Sequence, residues 1–250
     1  MKSNIISFLV FIIASTTVLL AQIGSEQEPL RMRYGVFADF NINMHSTNFT
    51  KLPGVPNCCP DFRGGKGTGH SLGVLFEMPF SDKFLFSVRA GWFNISGLFK
   101  ESEPKKVLLP NDSLIDGEYE YSIDAGLSTI SLEPMFGSRL FDYFFLYVGL
   151  NLGLLIQHDF AQKEQTTYPY HNDPNQDIRK ITSSDTSGIL KNVAGYLLSL
   201  KVGTSYELPL NRERTLLAAP EVYYTYGLTN IVKGLKWIVS SLSMGVVIKF

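Results

Sequence analysis

Cysteine is almost missing from this sequence: its 250 residues hold two, adjacent at Cys58 and Cys59. A framework of disulfides is therefore excluded as the source of its stability. Charge is scarce and balanced, with 18% of residues charged and 22 Lys and Arg set against 23 Asp and Glu. No basic field exists to grip phosphates, so nucleic acid is not expected as a partner. Four histidines leave little choice of metal ligand or general base. G-x-S-x-G does not occur, and Gly64, Gly65, Gly67 and Gly69 match neither G-x-G-x-x-G nor the Walker spacing. Neither a cofactor nor an enzymatic activity is expected.

Apolar, aromatic and glycine residues are plentiful: 45% of the chain is hydrophobic, with 18 Phe, 12 Tyr and 21 Gly. Disorder is excluded, and the composition points to a β-rich protein. After Lys2, the stretch Ile5 to Leu20 is uncharged and largely apolar and is followed by Ala21 and Gln22, the layout of a secretory signal peptide. Residues 1–22 are read as that signal, with cleavage after Ala21, and residues 23–250 as the exported domain. An uncleaved anchor is the alternative. No Cys precedes Cys58, so no lipoprotein anchor is expected.

A second apolar run, Phe141 to Gln157, separates the helix and strand readings. With period two, Phe144, Leu146, Val148, Leu150, Leu152, Leu154 and Ile156 share one face, and Phe145, Tyr147, Gly149, Asn151, Gly153 and Gln157 share the other. As a helix the run would lose about 1 kcal/mol at each glycine. The strand is favoured. The same alternation recurs over Tyr34–Asn41, Ser71–Met78, Phe84–Trp92, around 128–136, Leu198–Glu207, Leu216–Tyr226 and Ser241–Phe250, giving eight strands. Their second face is mostly Gly, Ser, Thr and Asn with isolated ionisable groups: Asp39, Glu77, Arg89, Glu133, Lys201, Glu207, Glu221 and Lys249.

Tight turns are expected at Phe80–Lys83, Ser138–Asp142 and Pro209–Arg214, and long loops over Asn43–Gly69, Asn94–Tyr121 and His158–Lys191, with a shorter one at Leu228–Lys236. Short turns at one end and long loops at the other describe an all-β fold, an eight-stranded antiparallel up-and-down transmembrane β-barrel. A soluble barrel would place Lys and Glu along a wet outer face. The thin polar face here suits a crowded lumen instead. Tyr34, Phe84, Trp92, Phe136, Tyr206, Tyr226 and Trp237 stand near strand ends as candidate interfacial girdles.

The chain ends with Met244, Val246, Ile248 and Phe250 at alternate positions. Together with the signal segment and the eight strands, this ending resembles the small bacterial outer-membrane protein β-barrel family, similar to the transmembrane barrel of outer membrane protein A. The resemblance implies insertion among outer-membrane lipid, with Met244, Val246, Ile248 and Phe250 as the signal read by the barrel assembly machinery. Leu52 to Phe62, followed by Gly64, Gly65, Gly67 and Gly69, is similar to the first loop of a subgroup whose relatives can carry a peptidoglycan-binding domain after the barrel. No such domain is expected here, since nothing follows Phe250.

A barrel of eight strands is filled by its own side chains, so general porin activity is not expected. Asp39, Glu77, Arg89, Glu133, Lys201, Glu207 and Glu221, with Lys249, are expected to form a luminal plug of ion pairs; a switchable gate is the alternative. Cys58–Cys59 is read as a vicinal disulfide stiffening a loop, with free thiols or an intermolecular bridge as alternatives. The alternating oxygens of His171–Asp177 are read as a solvated loop before a calcium site, since the Gly and distal Glu of the EF-hand are missing. His158, Asp159, His171 and Ser183 are the residues from which a lipid-active enzyme could be assembled. The expected function is structural, adhesive or partner-binding, with an extracellular ligand or envelope protein held by the long loops. A non-enzymatic subunit of a transport or secretion machine is the alternative.

Overall fold

The computed structural model describes residues 29–53, 60–108, 114–168 and 179–250. The expected signal peptide, Cys58–Cys59 and the 171–177 segment lie outside the described residues. The strands are β1 (Arg33–Phe49), β2 (Phe62–Pro79), β3 (Phe84–Asn94), β4 (Gly97–Leu108), β5 (Leu114–Phe141), β6 (Phe144–Tyr168), β7 (Arg179–Ile189), β8 (Tyr196–Tyr206), β9 (Leu208–Pro209), β10 (Leu217–Gly227) and β11 (Lys236–Lys249). Eight of them close a ring in the order β1, β2, β3, β5, β6, β8, β10, β11, every neighbouring pair antiparallel. The last strand returns to the first along a ladder from Gly35↔Lys249 to Asn48↔Lys236. Closure removes the edges that an open sheet would expose.

The alternation read from the sequence is the alternation of burial. On β1, Val36 and Phe40 are 47% and 50% exposed while Phe37 and Asp39 are 3% and 5% exposed. On β6, Leu146, Val148, Leu150, Leu152, Leu154 and Ile156 all face out, and Phe145 and Tyr147 are buried. Leu146 to Ile156 is ten steps of about 3.3 Å along a strand tilted by about 45°, or roughly 24 Å of height. An apolar belt of that height around a closed sheet belongs in hydrocarbon, because soluble proteins rarely expose apolar patches beyond a few hundred Å². Among the described residues no helix is long and apolar enough to cross a membrane. The crossing is made by strands.

Three expectations change. The segments read as long loops are largely strand: β1 and β2 run on to Phe49 and back from Phe62, β4 occupies Gly97–Leu108 where a loop was expected, and the β6–β7 hairpin fills most of 158–191. Their side chains still alternate, but the apolar residues switch faces above the belt, so hydropathy reads them as irregular. Trp237, expected in a girdle, is fully buried inside the ring. It shares odd parity with Ser241, Ser243 and Lys249, so β11 turns it inward with them. Finally, a β-bulge lies where Ser128 pairs Gln157 but Thr129 pairs Leu155, leaving Ile156 without a partner. The extra residue inverts the inward parity of β6, which passes from Phe145 and Tyr147 to Phe160 and Gln162.

The third strand of the ring jogs between β3 and β4. The Ile95 amide donates to the Leu127 carbonyl, and the Asn43 side chain reaches across to the Asn94 and Ser96 carbonyls at 3.3 and 3.1 Å. The jog is possible because Gly67 and Gly69 face it: a Cβ on either would overlap the Ser96 or Asn94 carbonyl oxygen. Gly67→Ala should therefore disrupt this junction and lower the temperature at which the folded barrel loses its fast-migrating form on an unheated gel. Gly195→Ala, where a Cβ meets nothing within 4 Å, should leave that temperature unchanged.

Candidate functional site: a stratified lumen beneath a projecting sheet

Inward residues change character along the barrel axis, and β1 shows the order: Phe37, Asp39, Asn41, Asn43, His45, Thr47, Phe49. Ions occupy the half nearer the termini, hydroxyls and amides the middle, and apolar rings the distal end. All eight ionisable groups expected in the lumen are there, none more than 7% exposed. They form two clusters.

In the upper cluster Arg89 is the hub. Its Nη2 lies 2.7 Å from Glu221 Oε1 and 3.2 Å from Asp39 Oδ2, and its Nε lies 3.5 Å from Glu133 Oε2. Lys201 Nζ donates to both Glu133 oxygens at 2.7 Å, and Asn151 Nδ2 donates to Oε1 at 2.7 Å. The register explains the convergence: Arg89 pairs Glu133 directly, while Asp39, Gly245 and Glu221 form one row across three strands. The Arg89 guanidinium also lies 3.9 Å from the Phe37 ring centroid, and Lys201 Nζ 4.6 Å from that of Tyr223. In the lower cluster Lys249 Nζ donates to Glu77 at 2.8 and 2.9 Å and to Glu207 at 2.8 Å, and the Tyr147 hydroxyl donates to Glu77 at 3.0 Å.

Above the ions lies a cavity of about 50 Å³ lined by Glu133, Asn151, Lys201, Ser241 and Ser243 among others. That is room for a few waters and no more. It is roofed by an apolar cluster that the sequence reading missed, with Phe49, Phe62, Phe99, Tyr121, Leu127 and Trp237 among its members. Trp237 meets Phe99 edge-on at 5.2 Å, and its Nε1 donates to His45 Nδ1 at 3.0 Å. The signal was present in the sequence: Tyr121, Ile123, Ala125 and Leu127 are apolar on the parity that carries Glu133 lower down the same strand. Ion clusters and apolar roof occupy successive levels of the ring.

Among the described side chains weighed for other chemistry none converge; those of His171 and Ser183 lie outside the described ones. His45 is inside the ring, and His70 is outside, edge-on to Trp92 at 5.0 Å. His158 and Asp159 are consecutive on β6 and so turn to opposite faces, with Asp159 accepting from Gln157 at 2.8 Å. Among the described residues no three His, Cys, Asp or Glu side chains are grouped to hold a metal.

Past the apolar roof, β4, β5, β6 and β7 continue as a four-stranded sheet. Among the described residues β4 pairs with β2 only at Gly65 and Lys66 and β7 pairs only with β6, so both outer edges of this sheet are unpaired there beyond those two residues. The two edges differ in chemistry. β4 carries Lys100, Pro104, Lys105 and Lys106, the residue types that guard an edge, whereas β7 from Ile181 to Ile189 is Ser- and Thr-rich with one Asp and no Pro. Lys105 is further tied down by Glu103 at 2.9 Å and the Tyr121 hydroxyl at 3.0 Å, and the Glu103 carboxylate holds its ammonium above the usual lysine range.

A family model described as outer membrane protein beta-barrel domain matches residues 20–233. No curated protein matches the chain. Among solved structures, the attachment invasion locus protein Ail of Yersinia pestis, in complex with the heparin analogue sucrose octasulfate, is 12% identical over 88% of this chain and 100% of its own, with a TM-score of 0.34. Neisserial surface protein A is 14% identical over 87% and 97%, with a TM-score of 0.37. The outer membrane protein OprG of Pseudomonas aeruginosa is 16% identical over 90% and 99%, with a TM-score of 0.35.

Removing one partner of a buried ion cluster leaves charge without compensation, at a cost of about 3–5 kcal/mol. Arg89→Met strands Asp39 and Glu221 and should lower the urea stability of the refolded barrel by that amount. Adding Asp39→Asn and Glu221→Gln should recover most of the loss. A single variant within about 1 kcal/mol of the parent would mean that the cluster is worth no more than exposed pairs.

Proposed function

Since the chain belongs to the outer membrane protein β-barrel domain family and so resides in the bacterial outer membrane, we propose that it is a closed barrel whose projecting sheet docks a protein partner outside the cell. Termini and tight turns lie at the periplasmic end, and β4–β7 face outward. The observation that carries this reading is the edge of β7, unpaired among the described residues and without Lys, Arg or Pro from Ile181 to Ile189, held beyond the apolar belt. An extended segment of a partner can add to such an edge as one more strand, with main-chain hydrogen bonds supplying affinity. Catalysis has no part in the reading, because His158 and Asp159 face opposite ways. Transport through the ring has none either, because ions and rings fill it.

The test is an excision that spares the roof. Phe160 and Leu190 belong to the apolar cluster, so the cut runs from Lys163 to Asp185, with Asn-Gly joining Gln162 to Thr186, which already pair. The expected outcome is unchanged heat-dependent gel mobility together with loss of the protein crosslinks formed on intact cells by a photoreactive residue at Thr186. Equal crosslinking from Lys100 on the β4 edge would contradict the choice of edge. In planar bilayers the parent protein should show no steady conductance above the leak, and a stable ohmic channel would contradict the filled lumen.

A further inference from the structure

The jog of the third strand has an outer side. Where the backbone at Ser96 and Gly97 steps inward over Gly67 and against His45, it leaves a groove of about 470 Å³ in the outside wall. The groove is shallow and open, and Ile42, Lys66, Thr68, Leu98 and Asp124 line it. Ile42 and Leu98 are at the top of the apolar belt, 36% and 41% exposed, just beyond the Phe40 and His70 pair on β1 and β2 and the Trp92 ring that meets His70. The groove therefore opens at the boundary between hydrocarbon and headgroups of the outer leaflet.

We propose that this groove binds a phosphorylated glycolipid of the outer leaflet, with an acyl chain against Ile42 and Leu98, a phosphate on Lys66 and sugar hydroxyls donating to Asp124. Charge complementarity selects the occupant. Lys66 is exposed, and among the described residues no carboxylate pairs with it. Lys66 is in register with Leu98, and Leu98 with Asp124, so cation and carboxylate stand two inter-strand spacings apart, about 10 Å. That separation exceeds the phosphorus-to-nitrogen span of a phosphoethanolamine headgroup and suits a phosphorylated disaccharide. The inference rests on membrane placement and not on the docking role of β7.

The experiment is native mass spectrometry of the delipidated protein in detergent, titrated with diphosphorylated lipid A and, separately, with phosphatidylethanolamine. One lipid A should bind in preference to phosphatidylethanolamine. Lys66→Gln should weaken it about tenfold, the worth of a charge-assisted hydrogen bond. Leu98→Trp should fill the groove and abolish binding, and Lys83→Gln, in the turn between β2 and β3 at the opposite end of the barrel, should change nothing. Heat-dependent gel mobility of each variant establishes that it is folded, and Lys66→Gln decides the matter if Leu98→Trp is not. Undiminished binding by Lys66→Gln, or equal binding of phosphatidylethanolamine, would overturn the proposal.

Discussion

In hydrocarbon no water is available to a backbone amide or carbonyl, and every one of them must be paired within the protein. The rest of this structure depends on that constraint. It requires the ladder between β1 and β11 that closes the ring, it holds side chains to a strict alternation between lipid and lumen, and it confines irregular backbone to places where something else satisfies it. The jog at Ile95 and Ser96 is such a place: Asn43 reaches across the lumen to carbonyls that would otherwise meet lipid or void. The membrane-spanning ring has no free edge, and free edges appear only beyond the belt, where water can satisfy β4 and β7.

A ring of eight strands must also fill itself, and two chemistries share the task. Buried ions are costly to desolvate and return little net stability. Their arrangement is specific all the same, since Arg89 and Lys201 are met by carboxylates from three different strands. Five carboxylates face three cations across the two clusters, so this part of the lumen carries an excess of acidic groups. The apolar roof is different in kind. It gains from burial in the ordinary way and ties β1, β2, β4, β5 and β11 together above the membrane. A filled ring beneath a projecting sheet is the mechanical sense of the molecule.

Much of this was legible because side-chain parity is a hard rule. Phe145 and Tyr147 read as inward and Leu146 and Val148 as outward from spacing alone, and the same parity places Asp39, Arg89 and Glu133 in one lumen. Which of those ions meet is a matter of register between strands distant in sequence, and no local pattern carries it. Parity fails as a guide where a residue is inserted: the bulge at Ile156 moves Phe160 inside with no mark in the hydropathy. Trp237 shows the opposite error, a residue whose parity was plain and whose type suggested an interface. The extended hairpins escaped notice because β4 is polar on both faces from Lys100 to Lys106 and because the apolar residues of upper β5, Tyr121 to Leu127, lie on the face that carries Glu133 lower down.

The central claim is that one face of each strand meets lipid and the other a filled lumen, with the phase set by the bulge on β6. A nitroxide scan of β6 from Phe144 to Gln162, in a Cys58→Ser/Cys59→Ser background reconstituted in bilayers, measures it directly. Collision rates with dissolved oxygen should peak at 146, 148, 150, 152 and 154, fall at the positions between them, and reverse phase beyond 156 so that 160 and 162 are protected. A period near 3.6 residues, or an even-numbered maximum that continues unbroken through 162, would contradict the account.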